Sequence, residues 1–342
     1  MAERLDRRVA VLLAVCTVLA VALVAAVVLL VRSGSTTDEA VAESSTTPTS
    51  TSPEGSTTTA AVRRPEAPVG AGRVEDGVRI QLGTISEGIV QRPYTVFSPA
   101  DAVFSPADAG TDERLPVVLV LHGLGVTSQA ISREADWRGA VAADRFVAVF
   151  PQGVLDSWNA GPCCPPAKAL GTDDVDFLTR VLDQVQARPE VDPDRTYVTG
   201  FSNGGIMAYT FACARPGRVT AIVPIAGSNL SGCDPKEPVS LLHLHGDPDF
   251  VVPFNGEPTL SQLVSGVPFP PVPGTIVDWA VADGCNLVPA VSGSGGVTRS
   301  TWSGCPAGVS VELLTYPGNE HSWPDGPVDG LDQVLRFFGI RR

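Results

Sequence analysis

Residues 195–214 read RTYVTGFSNGGIMAYTFACA, and they place a serine between two changes of pattern. RTYVTG has the composition of a buried β-strand, and GGIMAYTFACA is typical of an apolar helix. Between them, Gly200, Ser202 and Gly204 have the spacing G-x-S-x-G. Glycines on both sides let neighbouring backbone approach without a Cβ clash, so a tight turn can hold the serine at the strand tip. This context predicts that Ser202 is a nucleophile, and the alternative is a structural tight turn.

A serine hydroxyl needs a neighbouring base to become a useful nucleophile. The chain has four histidines, which makes the search short. His122 ends the strand-like run LVLH, and His243 and His245 belong to LLHLHG, where core hydrogen-bonding roles are favoured. His321 lies in GNEHSWP, a loop that follows the strand-like run VSVELLTY. A late histidine matches the chain order Ser, Asp, His of one large class of hydrolases, so His321 is the predicted base.

The acid that would orient the imidazole is expected directly after LLHLHG. The segment DPDFVVP offers Asp247 and Asp249 at that point. One of these two carboxylates is expected to shape the turn instead. The pattern alone leaves both residues as candidates for the third member of a catalytic triad.

Backbone N–H groups are expected to stabilise an oxyanion formed at the serine. The helix that begins at Asn203 directs its first N–H groups towards the strand tip. The second donor is expected in the loop after an early strand, where LHGLG offers the N–H of Leu124, with that of Gly125 as the alternative.

Strand-like and helix-like segments alternate through the later part of the chain. The strand-like runs are RPYTVFSP, LPVVLVLHG, FVAVFP, RTYVTG, AIVPIAG, LLHLHG and VSVELLTY. Helical patterns follow in DDVDFLTRVLDQVQARP, GGIMAYTFACARP, TIVDWAVADG and VDGLDQVLRFFGI. Alternation of this kind predicts an α/β fold, with a mostly parallel sheet covered by helices on both faces. Ligands then bind beyond the carboxyl ends of the strands. VFSPADA occurs at residues 96–102 and again at 103–109, which we interpret as a tolerated loop insertion.

The N-terminal part of the chain differs in composition from the rest. Residues 9–31 carry no charge over 23 positions, which is long enough to cross a bilayer as a helix. Residues 1–8 contain three arginines, so this end is expected in the cytoplasm and the remainder outside. We favour an uncleaved signal anchor over a cleaved signal peptide. Residues 32–71 are rich in Ser, Thr and Pro and predict a disordered stalk, which leaves 72–342 as a single catalytic domain.

Charge and cysteine content restrict the partners and the compartment. The formal net charge of −13 argues against nucleic acid and anionic membrane surfaces as partners. Six cysteines follow residue 31, an even number that suggests disulfides in an exported domain. Closing the shortest loops gives the pairing Cys285–Cys305, Cys213–Cys233 and the adjacent Cys163/Cys164. Cys-x-x-Cys spacing, a P-loop and a dinucleotide fingerprint are all absent from the sequence, so neither a metal nor a cofactor is predicted.

Taken together, the motifs resemble the secreted polyhydroxybutyrate-depolymerase and feruloyl-esterase group of α/β-hydrolases. The resemblance covers about residues 77–340 and rests on LHGLG, FPQGVLDSWNAGPCC, DDVDFL, VDPDRTYVTGFSNGG, PIAGS, HGDPDFVVPFNG and GNEHSWP. It implies the α/β-hydrolase fold and a triad of Ser202, His321 and Asp249, because the acid of that group belongs to HG-x-x-D-x-x-VP. Pro248 and the proline-rich segment VPFPPVPG depart from the pattern, so the choice of ester transfers least.

The resemblance implies a serine esterase that hydrolyses feruloyl-, acetyl- or hydroxyalkanoate-type carboxylic esters through an acyl-enzyme. One alternative is an acyltransferase that passes the acyl group to an envelope alcohol, and another is a surface binding protein that keeps the hydrolase fold. A peptidase is also conceivable, because the triad serves amides as well as esters. Trp158 and Trp323 lie near strand ends and are candidates for substrate binding, with buried packing as the alternative.

Overall fold

The computed structural model describes residues 72–102, 114–232, 237–256, 258–259, 262, 266–306 and 308–341. The predicted anchor and stalk (residues 1–71) lie outside the described residues, as does the second VFSPADA copy at 103–109. Within the described ranges, no helix is both long and apolar enough to cross a membrane. The first VFSPADA copy is not wholly a loop, because residues 96–99 form the end of a strand.

One sheet of eleven strands runs through the described part of the chain. Its strands are β1 (Arg73–Glu75), β2 (Val78–Glu87), β3 (Val90–Pro99), β4 (Leu115–Leu121), β5 (Val147–Pro151), β6 (Val191–Phe201), β7 (Ala221–Ile225), β8 (Ser240–Gly246), β9 (Ala290–Ser294), β10 (Val297–Trp302) and β11 (Val311–Tyr316). Their order is β1-β2-β3-β5-β4-β6-β7-β8-β11-β10-β9. The strands from β5 to β11 in this order are parallel, and those at both edges pair antiparallel.

The seven predicted strands are all present, and their burial explains why they were visible. Every residue of β4, β5, β7 and β8 is buried, as expected for parallel strands covered on both faces. The two outer strands on each side of the sheet, β1, β2, β9 and β10, were not predicted. Strand β9 is exposed along its whole length, so it lacks the apolar run that marks a buried strand.

Helices connect these strands and cover the sheet. Those used below are α1 (Ser128–Glu134), α2 (Trp137–Asp144), α3 (Ala167–Leu170), α4 (Asp174–Gln186), α5 (Asn203–Ala214), α6 (Val272–Ala282) and α7 (Gly330–Phe337). Asp173 caps α4 by accepting a hydrogen bond from the N–H of Asp176. The buried face of α4 is formed by Phe177, Leu178, Val181, Leu182 and Val185. Helix α5 is apolar on nearly all sides and is correspondingly buried.

Alternation along the strands divides the core into two layers. Val117 and Leu119 of β4 pack in one cluster with α4, α5 and α6, and Val118 and Val120 pack in another with α1, α2 and α7. The sheet is therefore covered by helices on both faces, which confirms the predicted α/β architecture.

Two of the predicted disulfides are present. Cys285 is joined to Cys305, which closes a loop that contains β9 and β10, and Cys163 is joined to its neighbour Cys164. Cys213 is also disulfide-bonded. Its predicted partner Cys233 lies outside the described residues, so that pairing stays a prediction.

Candidate active site

The turn between β6 and α5 holds Ser202 in an unusual backbone conformation. Ser202 has φ +55° and ψ −118°, a region that residues other than glycine rarely adopt. Its N–H donates to the carbonyl of Ile225 on β7 at 2.8 Å, which ties the turn to the sheet. Strain of this kind persists only where the surroundings enforce it, and it is concentrated at functional sites.

The glycines on both sides of Ser202 are required by close backbone packing. A Cβ added to Gly200 would collide with the carbonyl group of Gly204. A Cβ added to Gly204 would collide with the carbonyl oxygens of Leu121 and His122. The G-x-S-x-G spacing therefore lets the turn pack directly against the end of β4.

His321 lies between the serine and a carboxylate. Its Nε2 is 2.9 Å from Ser202 Oγ, and its Nδ1 is 2.7 Å from Asp249 Oδ2. The loop that carries His321 packs on the end of β8, where a side chain at Gly246 would collide with the carbonyl oxygen of Asn319. The structure thus brings together the three residues predicted as nucleophile, base and acid.

The structure also separates the roles of the two aspartates that follow β8. Asp247 Oδ1 accepts a hydrogen bond from the N–H of Gly318 at 3.0 Å, so Asp247 shapes the junction between two loops. Asp249 is 3% exposed and reaches His321. Its Oδ1 accepts from the N–H groups of Val251 and Val252, both at 2.8 Å. Asp249 is therefore the carboxylate that contacts the imidazole.

Hydrogen bonding keeps Asp249 ionised despite its burial. Burial raises the pKa of this carboxyl group, but hydrogen bonds from His245 and His321 outweigh burial and hold the pKa well below its usual range. An ionised Asp249 can only accept, so His321 Nδ1 carries its hydrogen and Nε2 is left to accept from Ser202 Oγ. This is the protonation pattern in which an imidazole can remove the hydroxyl proton.

Two main-chain N–H groups were predicted as oxyanion donors. Asn203 is the first residue of α5, so its N–H has no acceptor within its own helix. Of the alternatives Leu124 and Gly125, the N–H of Gly125 is occupied, because it donates to the carbonyl of Asp156 at 2.8 Å. Leu124 is therefore the better candidate of the two.

A buried histidine and a glutamine, neither of which was assigned a site role, hold the loops around these donors. His122 Nδ1 lies 2.9 Å from the carbonyl of Gly123, and Nε2 accepts from the N–H of Gly153 at 2.9 Å. Burial is the main cause that lowers the pKa of His122, to about 4, so the ring is neutral. Gln152 bonds to Asp156 Oδ1 at 3.0 Å and to the N–H of Ser128 at 2.8 Å. In the sequence, the signal that could have identified His122 and Gln152 was their position as polar residues directly after the apolar runs of β4 and β5.

Trp158 does not line an open site, which corrects its predicted role in substrate binding. The side chain is wholly buried, and its indole N–H donates to the carbonyl of His122 at 2.9 Å. Its ring packs against His122 and Phe177, with centroid distances of 4.7 and 6.4 Å. The large apolar ring supports the loop from beneath, so Trp158 is a packing residue in this structure.

Trp323 is also a packing residue in large part. It is 7% exposed, and its ring contacts Trp137 of α2 edge to face at 6.1 Å. Its indole nitrogen has no hydrogen-bond partner among the described residues. Trp323 lines a depression of about 500 Å³ with residues of α2 and with Asp325 and Arg341. Nothing places this depression at Ser202, so the predicted role in substrate binding is not supported by its position.

A buried ion pair anchors the loop that precedes α4. Asp174 accepts from Arg92 of β3 with Oδ1, and with Oδ2 it accepts from the N–H of Asn159 at 2.7 Å and from Thr172 at 2.9 Å. The Arg92 guanidinium also lies 3.6 Å from the centroid of the Phe177 ring. Because Asn159 follows Trp158 directly, the pair holds the loop that supports the candidate oxyanion site.

Residues that could hold a metal ion are not grouped in this region. Among the described residues, no cluster of three or more His, Cys, Asp or Glu side chains has a geometry suited to a metal. The chemistry that this arrangement can perform is nucleophilic attack by a serine assisted by an imidazole–carboxylate pair.

Comparison with known proteins gives a consistent result. The Esterase family model matches residues 100–259. Feruloyl esterase C of Emericella nidulans is 32% identical over 207 residues, which are 59% of this chain and 68% of that protein. Feruloyl esterase B of Piromyces equi is 34% identical over 68% of this chain, and the chain spans 44% of that protein's length.

A solved structure agrees on the fold. The acetyl xylan esterase from Aspergillus awamori superposes with a TM-score of 0.51 at 13% identity, over 76% of this chain and 99% of that one. This likeness concerns the fold alone and is that of an α/β-hydrolase. The chain belongs to the Esterase family of α/β-hydrolases, and it is a carboxylic ester hydrolase.

Proposed function

We propose that this enzyme is an extracytoplasmic serine esterase with Ser202 as nucleophile, His321 as general base and acid, and Asp249 as the residue that orients His321. The proposal rests on one observation: His321 contacts both the hydroxyl of Ser202 and the carboxylate of Asp249. The two distances, 2.9 Å at Ser202 and 2.7 Å at Asp249, are both those of hydrogen bonds.

Acylation would begin at the serine hydroxyl. Ser202 Oγ attacks the ester carbonyl carbon while His321 Nε2 takes the hydroxyl proton. The imidazolium that forms is stabilised by the carboxylate of Asp249, which hydrogen bonds hold in the ionised form. The carbonyl oxygen becomes an oxyanion, for which the N–H groups of Asn203 and Leu124 are the proposed donors.

Acylation would end when the alcohol leaves, and deacylation would then repeat the same proton transfers with water. His321 gives its proton to the leaving alcohol, and the C–O bond breaks to leave an acyl-enzyme on Ser202. A water molecule then loses a proton to His321 and attacks the acyl carbon. Return of that proton to Ser202 releases the carboxylic acid and restores the resting enzyme.

We propose a feruloyl-type ester as the first substrate class to examine, followed by acetyl and hydroxyalkanoate esters. Two relatives at 32% and 34% identity are feruloyl esterases by name. Three large apolar side chains are well exposed on segments next to candidate site residues: Leu124 (41%), Leu155 (66%) and Phe250 (53%). Such surfaces suit the apolar part of an aromatic acyl group.

The test is hydrolysis by the full chain in mild detergent. We would compare p-nitrophenyl acetate, methyl ferulate and a 3-hydroxybutyrate oligomer. Ser202→Ala should abolish turnover of whichever esters the wild type cleaves, while Ser86→Ala, at an exposed position of β2, should leave turnover unchanged. Full activity of Ser202→Ala would refute the assignment. Acyl transfer to an added alcohol in preference to water would favour the acyltransferase.

We also propose that residues 9–31 tether the enzyme to the membrane as an uncleaved signal anchor. The support is the run of 23 uncharged residues preceded by three arginines. The tether predicts that the enzyme stays with membranes after alkaline washing and is digested by protease added outside the cell. Release of a shortened chain into the medium would instead indicate cleavage.

A further inference from the structure

Three buried side chains form a line of hydrogen bonds behind Asp249. The hydroxyl of Tyr209, on α5, is 2.8 Å from Nδ1 of His243. His243 Nε2 is 2.9 Å from Nδ1 of His245, two residues further along β8. His245 Nε2 then lies 2.9 Å from the carbonyl oxygen of Val252 and 3.3 Å from Asp249 Oδ2.

The direction of every hydrogen bond in this line follows from its last member. The carbonyl of Val252 and the ionised carboxylate of Asp249 can only accept, so His245 Nε2 must carry a hydrogen. In a neutral ring, Nδ1 of His245 is then an acceptor and receives the Nε2–H of His243. Nδ1 of His243 is in turn an acceptor and receives the hydroxyl hydrogen of Tyr209.

Burial supports the neutral form of His243. His243 and Tyr209 are 0% exposed and His245 is 1% exposed. Burial, followed by the interaction with His245, holds the pKa of His243 well below its ordinary value. When each ring is neutral, with one donor and one acceptor, all hydrogen bonds in the line run in the same direction, from Tyr209 towards Asp249.

We propose that His245 is a positioning residue of the triad: its Nε2–H holds the Asp249 carboxylate in the orientation that meets His321, and His243 and Tyr209 anchor the ring from the side of its Nδ1. The inference rests on the proposed function, since it concerns the acid of that same site.

The contacts of Asp249 show why one donor matters. Oδ1 receives the two N–H groups of Val251 and Val252, so the turn itself holds that oxygen. Oδ2 receives His321 at 2.7 Å, and His245 is the second side chain within reach of it. Nε2 of His245 also donates to the carbonyl oxygen of Val252, so the same ring contacts both the carboxylate of Asp249 and the backbone of the turn that follows it.

Two substitutions divide the functions of the His245 ring. His245→Gln places an amide N–H near the position of Nε2 and keeps a donor towards Asp249 and Val252. His245→Asn is shorter and can keep only the contact with His243. Positioning predicts that kcat falls about tenfold or more in His245→Asn and stays within about threefold of wild type in His245→Gln, with KM little changed in both.

A spectroscopic measurement separates positioning from loss of stability. The proton on His321 Nδ1, bonded to a carboxylate, should give a strongly deshielded signal in proton NMR of the full chain. That signal should persist in His245→Gln and shift or broaden away in His245→Asn. Leu182→Ala, in the buried face of α4, provides a destabilised control that should retain both the signal and kcat.

The outcomes distinguish this inference from the proposed function. Equal loss of kcat in the Gln and Asn variants, or an unchanged His321 signal in His245→Asn, would overturn the positioning role while Ser202→Ala remained inactive. Full activity of Ser202→Ala would instead remove the proposed triad itself. Recovery of kcat and of the signal by glutamine alone supports His245 as the group that orients Asp249.

Discussion

Asn203 and Trp158 are joined by two hydrogen bonds that pair a side chain with a backbone. The N–H of Trp158 donates to Asn203 Oδ1 at 2.7 Å, and Asn203 Nδ2 donates to the carbonyl of Trp158 at 3.1 Å. Both residues are buried. The residue directly after the proposed nucleophile therefore connects the start of α5 to the loop that contains the buried tryptophan.

Replacement of Asn203 should damage both stability and turnover. Asn203→Ala leaves the buried N–H of Trp158 without a partner, which costs about 1–3 kcal/mol, while the carbonyl of Trp158 keeps its hydrogen bond from the N–H of Cys164. We expect a lower midpoint of thermal unfolding and a kcat reduced about tenfold, because an oxyanion donor that has moved stabilises the transition state less. Asn203→Asp keeps the acceptor for the Trp158 N–H, but it places a buried carboxylate oxygen against the Trp158 carbonyl, so it is not expected to restore stability. Unchanged kcat in a destabilised Asn203→Ala would separate the loop contact from catalysis.

The candidate oxyanion donor at Leu124 can be removed without changing its side chain. Replacing Leu124 by the corresponding α-hydroxy acid turns the peptide N–H into an ester oxygen. Loss of one such donor typically lowers kcat by about 10²–10³. The same replacement at Gly125 is the control. The N–H of Gly125 already donates to the carbonyl of Asp156, so its removal is expected to lower stability more than kcat. The opposite ranking would assign the donor to Gly125.

Stability should fall in acid partly because of His122. Its pKa is lowered to about 4 in the folded protein, against 6.5 for an ordinary histidine, and burial is the main cause. The unfolded chain therefore takes up the proton first as the pH falls. The contribution of the neutral ring is fully present above about pH 6.5 and is lost between pH 6.5 and pH 4, by roughly 3 kcal/mol.

The measurement is the free energy of unfolding of wild type and His122→Gln from pH 7 to pH 4.5. Glutamine does not titrate, and its carbonyl can accept from the N–H of Gly153. The stability advantage of wild type over the variant should shrink by about 2 kcal/mol across this range. A constant difference would mean that His122 does not take part in the pH dependence.

The buried pair of Arg92 and Asp174 should be costly to break. Arg92 is 2% exposed and Asp174 is 1% exposed, so removal of Arg92 leaves the carboxylate of Asp174 buried without its counter-charge, whereas Arg92 has a second partner in Glu87 at 3.4 Å. Arg92→Met is expected to lower the free energy of unfolding by about 3–5 kcal/mol in denaturant titrations. The double variant Arg92→Met with Asp174→Asn should lose less than the sum of the two single variants. Strict additivity would show that the two side chains are not coupled.

The fold and the grouping of Ser202, His321 and Asp249 were largely predictable because their signals are local or ordered along the chain. A strand, a glycine-bounded serine and a helix follow one another within residues 195–214, and His321 is the one histidine outside the early strand ends and the run LLHLHG. The residue pattern alone did not choose between Asp247 and Asp249, since both follow β8, and only the family resemblance favoured Asp249; the contacts that give each aspartate its role are not local. They depend on where the loops of Gly318 and His321 pack, which only the three-dimensional arrangement shows.

Other features of the structure could not be predicted from the sequence. Trp158 has polar neighbours in sequence, yet its ring is buried because β4 and α4 close over it in space. His245 looks like part of an apolar strand, and its contact with Asp249 arises from the turn after β8. The edge strands β9 and β10 lack a buried face, so neither hydrophobic alternation nor a continuous apolar run identifies them.

The Cys285–Cys305 disulfide encloses the exposed hairpin of β9 and β10, so it determines what proteolytic cleavage of this hairpin does to the chain. Leu287, Val288 and Val291 are well exposed there, and exposed hairpins are preferred sites of nicking. A cut between the two cysteines would leave the two fragments covalently connected, with β10 still paired to β11. The damage would be visible as two bands only after reduction, and the carboxyl-terminal fragment, which carries His321, would remain attached to the rest of the enzyme.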